Sequence, residues 1–179
     1  EISANRSGAY VGMTFDSTNN KVVVAYKSTT NSNYATAAVG TVSGTSISFG
    51  TPVTISSATS GGDRGGPHLA FNSTLGQVGA LIQDNSSGAY DLRFYPLTVS
   101  GTSVTVGTGL LVEPFATGSG APSEFSMAYD PDTDRMAVLY RDHGNSNNGT
   151  SRVITMDSLS TNVTSENYIG MSSGTAFQT

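Results

Sequence analysis

The chain contains no cysteine and no tryptophan, and charged residues make up only 12% of its 179 positions. Without cysteine there is no disulfide framework, iron–sulfur cluster or thiol nucleophile, and a zinc site would have only oxygen and imidazole ligands. Lysine and arginine number 8 against 13 acidic residues, so positive charge is too sparse to neutralise phosphates, which excludes a typical nucleic-acid partner. No apolar run reaches the roughly 18 residues of a membrane helix, which predicts no membrane insertion.

Serine, threonine and glycine are abundant instead and together occupy about 70 positions. The absence of cysteine and the hydroxyl-rich composition fit the predicted location, which is extracellular or in a virion. The first residue is Glu1 rather than methionine, which predicts a processed chain or a fragment. No cofactor or metal is predicted. The acidic run at Asp130, Asp132 and Asp134 is interpreted as a turn, because the glycine and the terminal acid of an EF-hand loop are missing.

Three segments of the chain resemble one another. Their common centre is an aromatic residue followed by Asp or Asn, at Phe15, Phe71 and Tyr129. A second block, VSGTSISFG from Val42, recurs as VSGTSVTVG from Val99, whereas the third copy has DSLSTNVTSENYIG in its place. Self-similarity at a fixed period is the signature of a repeat architecture. The predicted units are residues 1–60, 61–118 and 119–179, the last with a degenerate C-terminal strand.

Each unit shows the alternation and the turn residues of short antiparallel strands, four per unit. The central strand of each unit is apolar on both faces, so both faces are expected to be covered by neighbouring units. The fold class is therefore predicted to be all-β, as a β-propeller segment of three four-stranded antiparallel blades, with a β-sandwich as the alternative. Three blades are fewer than the usual four to eight. Either the parent chain continues, or copies associate so that three plus three complete a ring.

The repeat resembles a known pattern over most of the chain. The stretch from about Val11 to Ile55, the third-unit segment AYDPDTDRMAVLYRDHGNSNNGT and the passage TSENYIG (Thr164 to Gly170) are similar to tandem repeats of structural or tail-fibre-like proteins of marine bacteriophages, cyanophages in particular. Similar repeats occur in related environmental bacterial sequences. The resemblance implies a virion or surface component concerned with attachment. It supplies no catalytic residues.

The loop after the second strand of each unit carries the candidate binding residues. It combines hydroxyls, amides and aromatic side chains, which sugar recognition uses because amides offer paired donors and acceptors and a tyrosine offers an apolar face with a polar tip. The alternative is that these residues only satisfy the backbone geometry of a long hairpin loop. The candidates are Asn31, Asn33 and Tyr34 in the first unit, Asp84, Asn85 and Tyr90 in the second, and Asp142, His143 and Asn145 in the third.

The predicted function is a non-enzymatic virion structural protein, a tail fibre or other exposed appendage, that attaches to a host surface through these loops. The predicted partners are other virion subunits or copies of itself, together with host-surface polysaccharide. A secreted bacterial lectin or adhesin is the first alternative. The second is a glycosidase-like propeller enzyme, which needs two carboxylates about 5–9 Å apart. Its candidate residues are Asp63, Arg64, His68 and Glu124.

Overall fold

The computed structural model describes residues 11–60, 66–115, 120–156 and 163–170, the last range by its backbone alone. These residues form antiparallel β-sheets and contain no α-helix, which confirms the all-β prediction. The described part of the chain accordingly has no helix with the length and hydrophobicity to span a bilayer. Three open sheets follow one another along the chain.

Sheet 1 is formed by the first repeat. Its strands are β1 (Val11–Asp16), β2 (Lys21–Ser28), β3 (Tyr34–Ser43), β4 (Ser46–Phe49) and β5 (Val53–Thr59). The first four strands pair in chain order, and β5 returns to pair with the beginning of β3, beside the part that β4 covers. The edge of this sheet opposite β1 is therefore formed by two short strands, β4 and β5.

Sheet 2 repeats this arrangement. Its strands are β6 (His68–Asn72), β7 (Gln77–Asp84), β8 (Asp91–Ser100), β9 (Ser103–Val106) and β10 (Leu110–Glu113). Strand β8 takes the position of β3, and both β9 and β10 pair with it along different stretches. The hairpins of the two VSGTS blocks are thus β3–β4 and β8–β9, as their sequences predict.

Sheet 3 has four strands: β11 (Ser123–Asp130), β12 (Arg135–Asp142), β13 (Asn148–Met156) and β14 (Val163–Gly170). A 3-10 turn, His143–Asn145, lies between β12 and β13. The segment that replaces the VSGTS block supplies β14, which pairs along β13 from Thr150 to Met156. One strand here covers the stretch that two short strands share in the other sheets.

The prediction of four strands per unit is wrong for the first two units, which have five. The missed strands are β5 and β10. Strand β5 is rich in serine and threonine, and β10 has only four residues, so neither shows the apolar alternation by which a strand is recognised in a sequence. Both strands are fixed by pairing with a long neighbour rather than by their own pattern.

The recurring pair of an aromatic residue and an Asp or Asn lies at the end of the first strand of each sheet, where the chain turns. Asp16 is buried and accepts hydrogen bonds from the backbone and side-chain nitrogens of Asn19 at 3.0 and 2.8 Å. Asn72 accepts one from the backbone of Leu75 at 2.9 Å, and Asp130 accepts one from the backbone of Asp132 at 3.0 Å. Side chains that bond the backbone two or three residues on are typical of such turns. These bonds explain why the Asp or Asn recurs.

Sheet 2 is packed between sheets 1 and 3. One face of β7 places Val78, Ala80 and Ile82 in a core cluster with residues of sheet 1, including Val23 and Ala25. The opposite face contributes to a second cluster with sheet 3; its members include Leu81, Phe94, Met136 and Tyr140. The side chains of a strand alternate between its two faces, so a strand apolar at every position suits a sheet covered on both sides.

Two glycines bring the backbones of sheets 1 and 2 into direct contact. A Cβ atom at Gly12 would overlap the carbonyl oxygen of Pro67, just before β6, and a Cβ at Gly50 would overlap the carbonyl oxygen of Thr102, in the turn before β9. The first contact is at the first strands of the two sheets, β1 and β6, and the second is at the hairpins β3–β4 and β8–β9. Only glycine permits so close an approach of two main chains.

Candidate functional site

A groove of about 390 Å³ lies where sheets 1 and 2 meet, at the end of the sheets that carries the loops after β2 and β7. Its walls are Tyr34 at the start of β3, residues 56–59 of β5, and Asn85 and Ser86 of the β7–β8 loop. These side chains provide one aromatic ring, one amide and several hydroxyls, and none of them is charged. Two of the predicted binding residues, Tyr34 and Asn85, are therefore brought into one site from different repeats.

Hydrogen bonds between the end of the first repeat and the β7–β8 loop of the second repeat fix the two walls of the groove relative to each other. The amide of Asn85 donates to the carbonyl of Thr59 at 3.1 Å, and Ser60 forms a β-bridge with Asp84. The hydroxyl of Ser60 also donates to the carbonyl of Gln83 at 3.3 Å. Strand β5 of the first repeat thus continues beside the second repeat, which fixes the position of Asn85 relative to the β5 wall.

Asn85 has spare hydrogen-bonding capacity. Its Oδ1 atom is shielded from solvent and has no hydrogen-bond partner among the described residues. A shielded acceptor without a donor is unfavourable, because the desolvated group costs about 1–3 kcal/mol. Rotation of the Asn85 amide toward the groove would let a ligand hydroxyl donate to Oδ1 and remove that penalty, so Asn85 is the strongest candidate binding residue in the groove.

Asp84 is buried next to the groove and holds one of its lining residues, Ser86, in place. Its carboxylate accepts a hydrogen bond from the Tyr95 hydroxyl at 2.7 Å and from the backbone and side chain of Ser86 at 3.1 and 2.7 Å. The Nε atom of Arg93 lies 3.4 Å away and forms an ion pair with it. These contacts leave Asp84 without access to a ligand, so the structure gives this predicted binding residue a supporting role.

Burial raises the pKa of Tyr95 to about 12, with the neighbouring Asp84 carboxylate acting in the same direction. The pKa of Tyr140 is also raised, first by burial and then by its hydrogen bond to Glu113. Both hydroxyls remain protonated in the folded chain at pH values at which an unfolded tyrosine, with a pKa near 10, has ionised. The folded state then binds more protons than the unfolded state, so its stability falls as the pH rises above about 10.

We therefore expect the Tyr95→Phe variant to lose stability less steeply with pH than the parent chain. Tyr95 alone contributes a slope of about 1.4 kcal/mol per pH unit between about pH 10 and 12, and phenylalanine removes it. At neutral pH the variant should be about 1 kcal/mol less stable, because one hydrogen bond is lost. Urea unfolding at a series of pH values measures both effects, with Tyr90→Phe as the matched control. Parallel pH curves for parent and variant would contradict the assignment.

Three further predicted residues of the first two repeats lie outside the groove lining. Asn31 donates its side chain to the hydroxyl of Thr54 at 2.8 Å, and the carbonyl of Asn33 accepts the amide of Ser60 at 2.9 Å. Tyr90 is exposed in its loop, one position before β8. Tyr34 pairs with Ser28, the last residue of β2. The last residue of β7, Asp84, pairs instead with Asp91 and not with Tyr90. The two tyrosines are therefore not structurally equivalent, since the second loop is one residue longer.

The predicted residues of the third repeat form a compact turn. The carboxylate of Asp142 accepts the backbone amides of Gly144 and Asn145 at 2.8 and 3.1 Å and so caps the 3-10 turn. The Nε2 atom of His143 lies 3.0 Å from the hydroxyl of Ser123. Asp142 is buried, so its carboxylate fixes the backbone of this loop. None of the three residues lies in the groove between sheets 1 and 2.

Two of the four residues of the glycosidase alternative, His68 and Glu124, lie in the described part of the chain. Asp63 and Arg64 lie outside the described residues. The ring of His68 packs edge-on against Phe125 with 5.4 Å between centroids, and burial lowers its pKa. Glu124 is exposed and lies 3.3 Å from Arg141 as an ion pair. No group of three or more His, Asp and Glu side chains is arranged to hold a metal ion in the described ranges.

The β5 wall of the groove was not predicted from the sequence. Its residues are Ser56, Ser57, Ala58 and Thr59. They belong to a strand with no apolar alternation, in a stretch that resembles a loop. The only sequence signal is the density of hydroxyls directly before the second repeat, and that density is common throughout this chain.

Comparison with protein-family models, with curated proteins and with solved structures finds no match to this chain.

Proposed function

We propose that this chain is a non-catalytic attachment module, a three-blade β-propeller segment of a phage tail fibre or other exposed virion appendage, that binds host-surface polysaccharide in the groove between its first two sheets. The observation that carries the proposal is the composition of the groove. It is uncharged and combines the ring of Tyr34 with the amide of Asn85 and several hydroxyls. A neutral sugar presents hydroxyls to such amides and an apolar ring face to such an aromatic.

The stacking of the sheets supports the propeller interpretation. The first strands of the three sheets are neighbours, with β6 in contact with both β1 and β11. In a propeller the first strands of successive blades converge around the central axis. A two-layer sandwich has two packed sheets, whereas here sheet 2 is covered on both faces by sheets from the repeats before and after it. Each repeat thus buries its apolar faces against its neighbours, as repeat architectures require.

The location of the groove supports the attachment role. It lies at the loop end of the junction between sheets 1 and 2, so copies of the chain assembled in one appendage would present this site repeatedly. Weak sites repeated on one rim bind a repetitive polymer with high avidity. A polysaccharide is such a polymer, and a virion appendage that reaches a cell surface meets it first.

Glycan-array binding of the 179-residue chain, followed by titration of the best ligand, tests the proposal. Tyr34→Ala and Asn85→Ala should each weaken binding at least tenfold, equivalent to about 1.4 kcal/mol. Tyr90→Ala is the matched control, because it removes an exposed tyrosine of the next loop that does not line the groove. Circular dichroism and thermal melting of each variant confirm that the fold is intact.

The proposal fails if the array shows no glycan binding, or if Tyr90→Ala weakens binding as much as Tyr34→Ala does. The attachment role has a separate test. The purified chain should compete with phage adsorption to host cells, and the Tyr34→Ala variant should compete at least tenfold less well. Equal competition by parent and variant would place the attachment site elsewhere.

A further inference from the structure

Two buried carboxylates hold the serines of the β7–β8 loop. Asp84 is the last residue of β7 and Asp91 is the first residue of β8, and the two pair across the strands. Asp84 accepts the backbone amide and the hydroxyl of Ser86 at 3.1 and 2.7 Å, and Asp91 accepts the hydroxyl of Ser87 at 2.6 Å. An ionised carboxylate only accepts hydrogen bonds, so both serine hydroxyls donate into the protein.

Backbone amides of the same loop are also used within the protein. The amide of Asn85 donates to the carbonyl of Thr59 at 3.1 Å, and the amide of Gly88 donates to the carbonyl of Asn85 at 3.2 Å. Ser86 lines the groove, but both of its donors are taken by Asp84. What Ser86 offers to a ligand is therefore oxygen lone pairs, without an N–H or O–H group.

The charges beside this wall of the groove are not balanced. A single guanidinium, that of Arg93, serves both carboxylates: its Nε atom is 3.4 Å from Asp84 and its Nη2 atom is 3.5 Å from Asp91. Lys27 on β2 forms no ion pair with either carboxylate in the part of the chain that the structure describes. Charges shielded from water are less screened than surface charges, so the excess negative charge acts on a bound ligand.

This arrangement is the reverse of an anion-binding loop. Loops that bind anions point their backbone N–H groups at the ligand. A sulfate or an ionised carboxylate has only acceptors, so it finds no partner at Ser86. A sugar hydroxyl is both donor and acceptor and can donate to the Oγ atom of Ser86. The hydroxyls of the β5 wall can take either role, so the discrimination comes from the β7–β8 loop.

We propose that Asp84 makes the groove selective for neutral, hydroxyl-bearing glycans over glycans that carry sulfate or carboxylate groups. Asp84 does this as a positioning residue, without touching the ligand, because it fixes the direction in which Ser86 donates and contributes negative charge next to the groove. The inference rests on the glycan-binding role proposed above and names the class of glycan that the groove accepts.

A pair of ligands that differ in one group tests the parent chain directly. The first is the neutral oligosaccharide that binds best on the array, and the second is the same oligosaccharide with one 6-O-sulfate for each sugar in turn. We expect every sulfated form whose sulfate enters the groove to bind about tenfold more weakly than the neutral form. Equal affinities for the neutral form and all sulfated forms would overturn the inference.

The Asp84→Asn variant shows whether Asp84 causes the discrimination. The amide keeps the shape of the side chain but removes its charge, and the Ser86 hydroxyl becomes free to turn toward the groove and donate. The neutral glycan should bind more weakly and the sulfated glycan more tightly, so that the affinity ratio falls from about tenfold to about twofold. A damaged fold would weaken both ligands, so opposite changes identify the cause.

Asp132→Asn is the matched control, because it removes the same charge at an exposed turn position of sheet 3. Its affinity ratio should equal that of the parent. An Asp84→Asn variant that is folded by circular dichroism and keeps the parent ratio would overturn the inference. So would an Asp132→Asn variant that loses the ratio, because the net charge of the chain would then be the cause.

Ser86→Ala tests the same idea at an exposed residue, whose replacement does not threaten the fold. The variant removes the Oγ acceptor, so the neutral glycan should bind about threefold more weakly while the affinity of the sulfated glycan is unchanged. Ser87→Ala is the control in the same loop, because Ser87 does not line the groove. An equal loss for both ligands in Ser86→Ala would contradict the role of Ser86.

These measurements separate the selectivity from the functional proposal. Equal binding of neutral and sulfated forms, with both weakened by Tyr34→Ala, would overturn the selectivity and leave glycan binding in the groove intact. Absence of binding to any glycan would overturn both.

Discussion

Replacing Phe94 with alanine is expected to lower the free energy of unfolding by about 3–5 kcal/mol. Phe94 is completely buried on β8, and its side chain faces sheet 3 in the second core cluster. Its removal takes away buried apolar surface and leaves a cavity between two sheets that are held at a fixed distance by the rest of the junction. Urea unfolding at neutral pH measures the loss.

Phe115→Ala is the matched control for this prediction, because Phe115 is exposed and its backbone bond to Asp91 does not depend on its side chain. We expect a change within about 0.5 kcal/mol for the control. A similar small loss for Phe94→Ala would mean that sheets 2 and 3 do not share a packed core. It would remove the physical basis of the stacked arrangement.

The Asp84→Ala variant should be less stable than the parent by about 3 kcal/mol. The Asp84 side chain is fully buried and holds Tyr95, Ser86 and Arg93 together, so alanine leaves three donors and a cation without their acceptor. Arg93 is 19% exposed and retains some contact with water and with Asp91, which limits the loss to the lower part of the range for broken buried pairs.

A double-mutant cycle with Arg93→Ala tests the cause of this loss. Arg93→Ala should cost less in the Asp84→Ala background than in the parent, because the ion pair is already gone. Asp132→Ala, at an exposed turn position, should change the stability by no more than about 0.5 kcal/mol. Strict additivity of the two substitutions would contradict a direct Asp84–Arg93 interaction.

Much of the fold could be predicted from the sequence because the repeats preserve the features that matter physically. The central strands are apolar on both faces because both are buried, and the Asp or Asn after each aromatic anchor recurs because it bonds the following turn. Strands β5 and β10 could not be predicted, since they are selected by pairing with β3 and β8 rather than by a hydrophobic pattern of their own.

The candidate site could be predicted only in part. Tyr34 and Asn85 are recognisable as polar loop residues, but their proximity depends on how two repeats stack, which no local pattern specifies. The sequence also does not distinguish a loop carboxylate that faces a ligand from one that supports the backbone. Asp84 and Asp142 resemble binding residues in the sequence, and the structure uses both as internal hydrogen-bond acceptors.

The main-chain contacts at Gly12 and Gly50 have a consequence for ligand affinity. They fix sheet 1 against sheet 2 at β1 and β6 and at the hairpins β3–β4 and β8–β9, so the angle between the two sheets depends on rigid backbone rather than on adaptable side chains. The groove lies at this same junction, and its walls are therefore preorganised. In the proposed attachment role, a ligand would not have to order the two sheets first, so less of its binding free energy would be lost to conformational entropy.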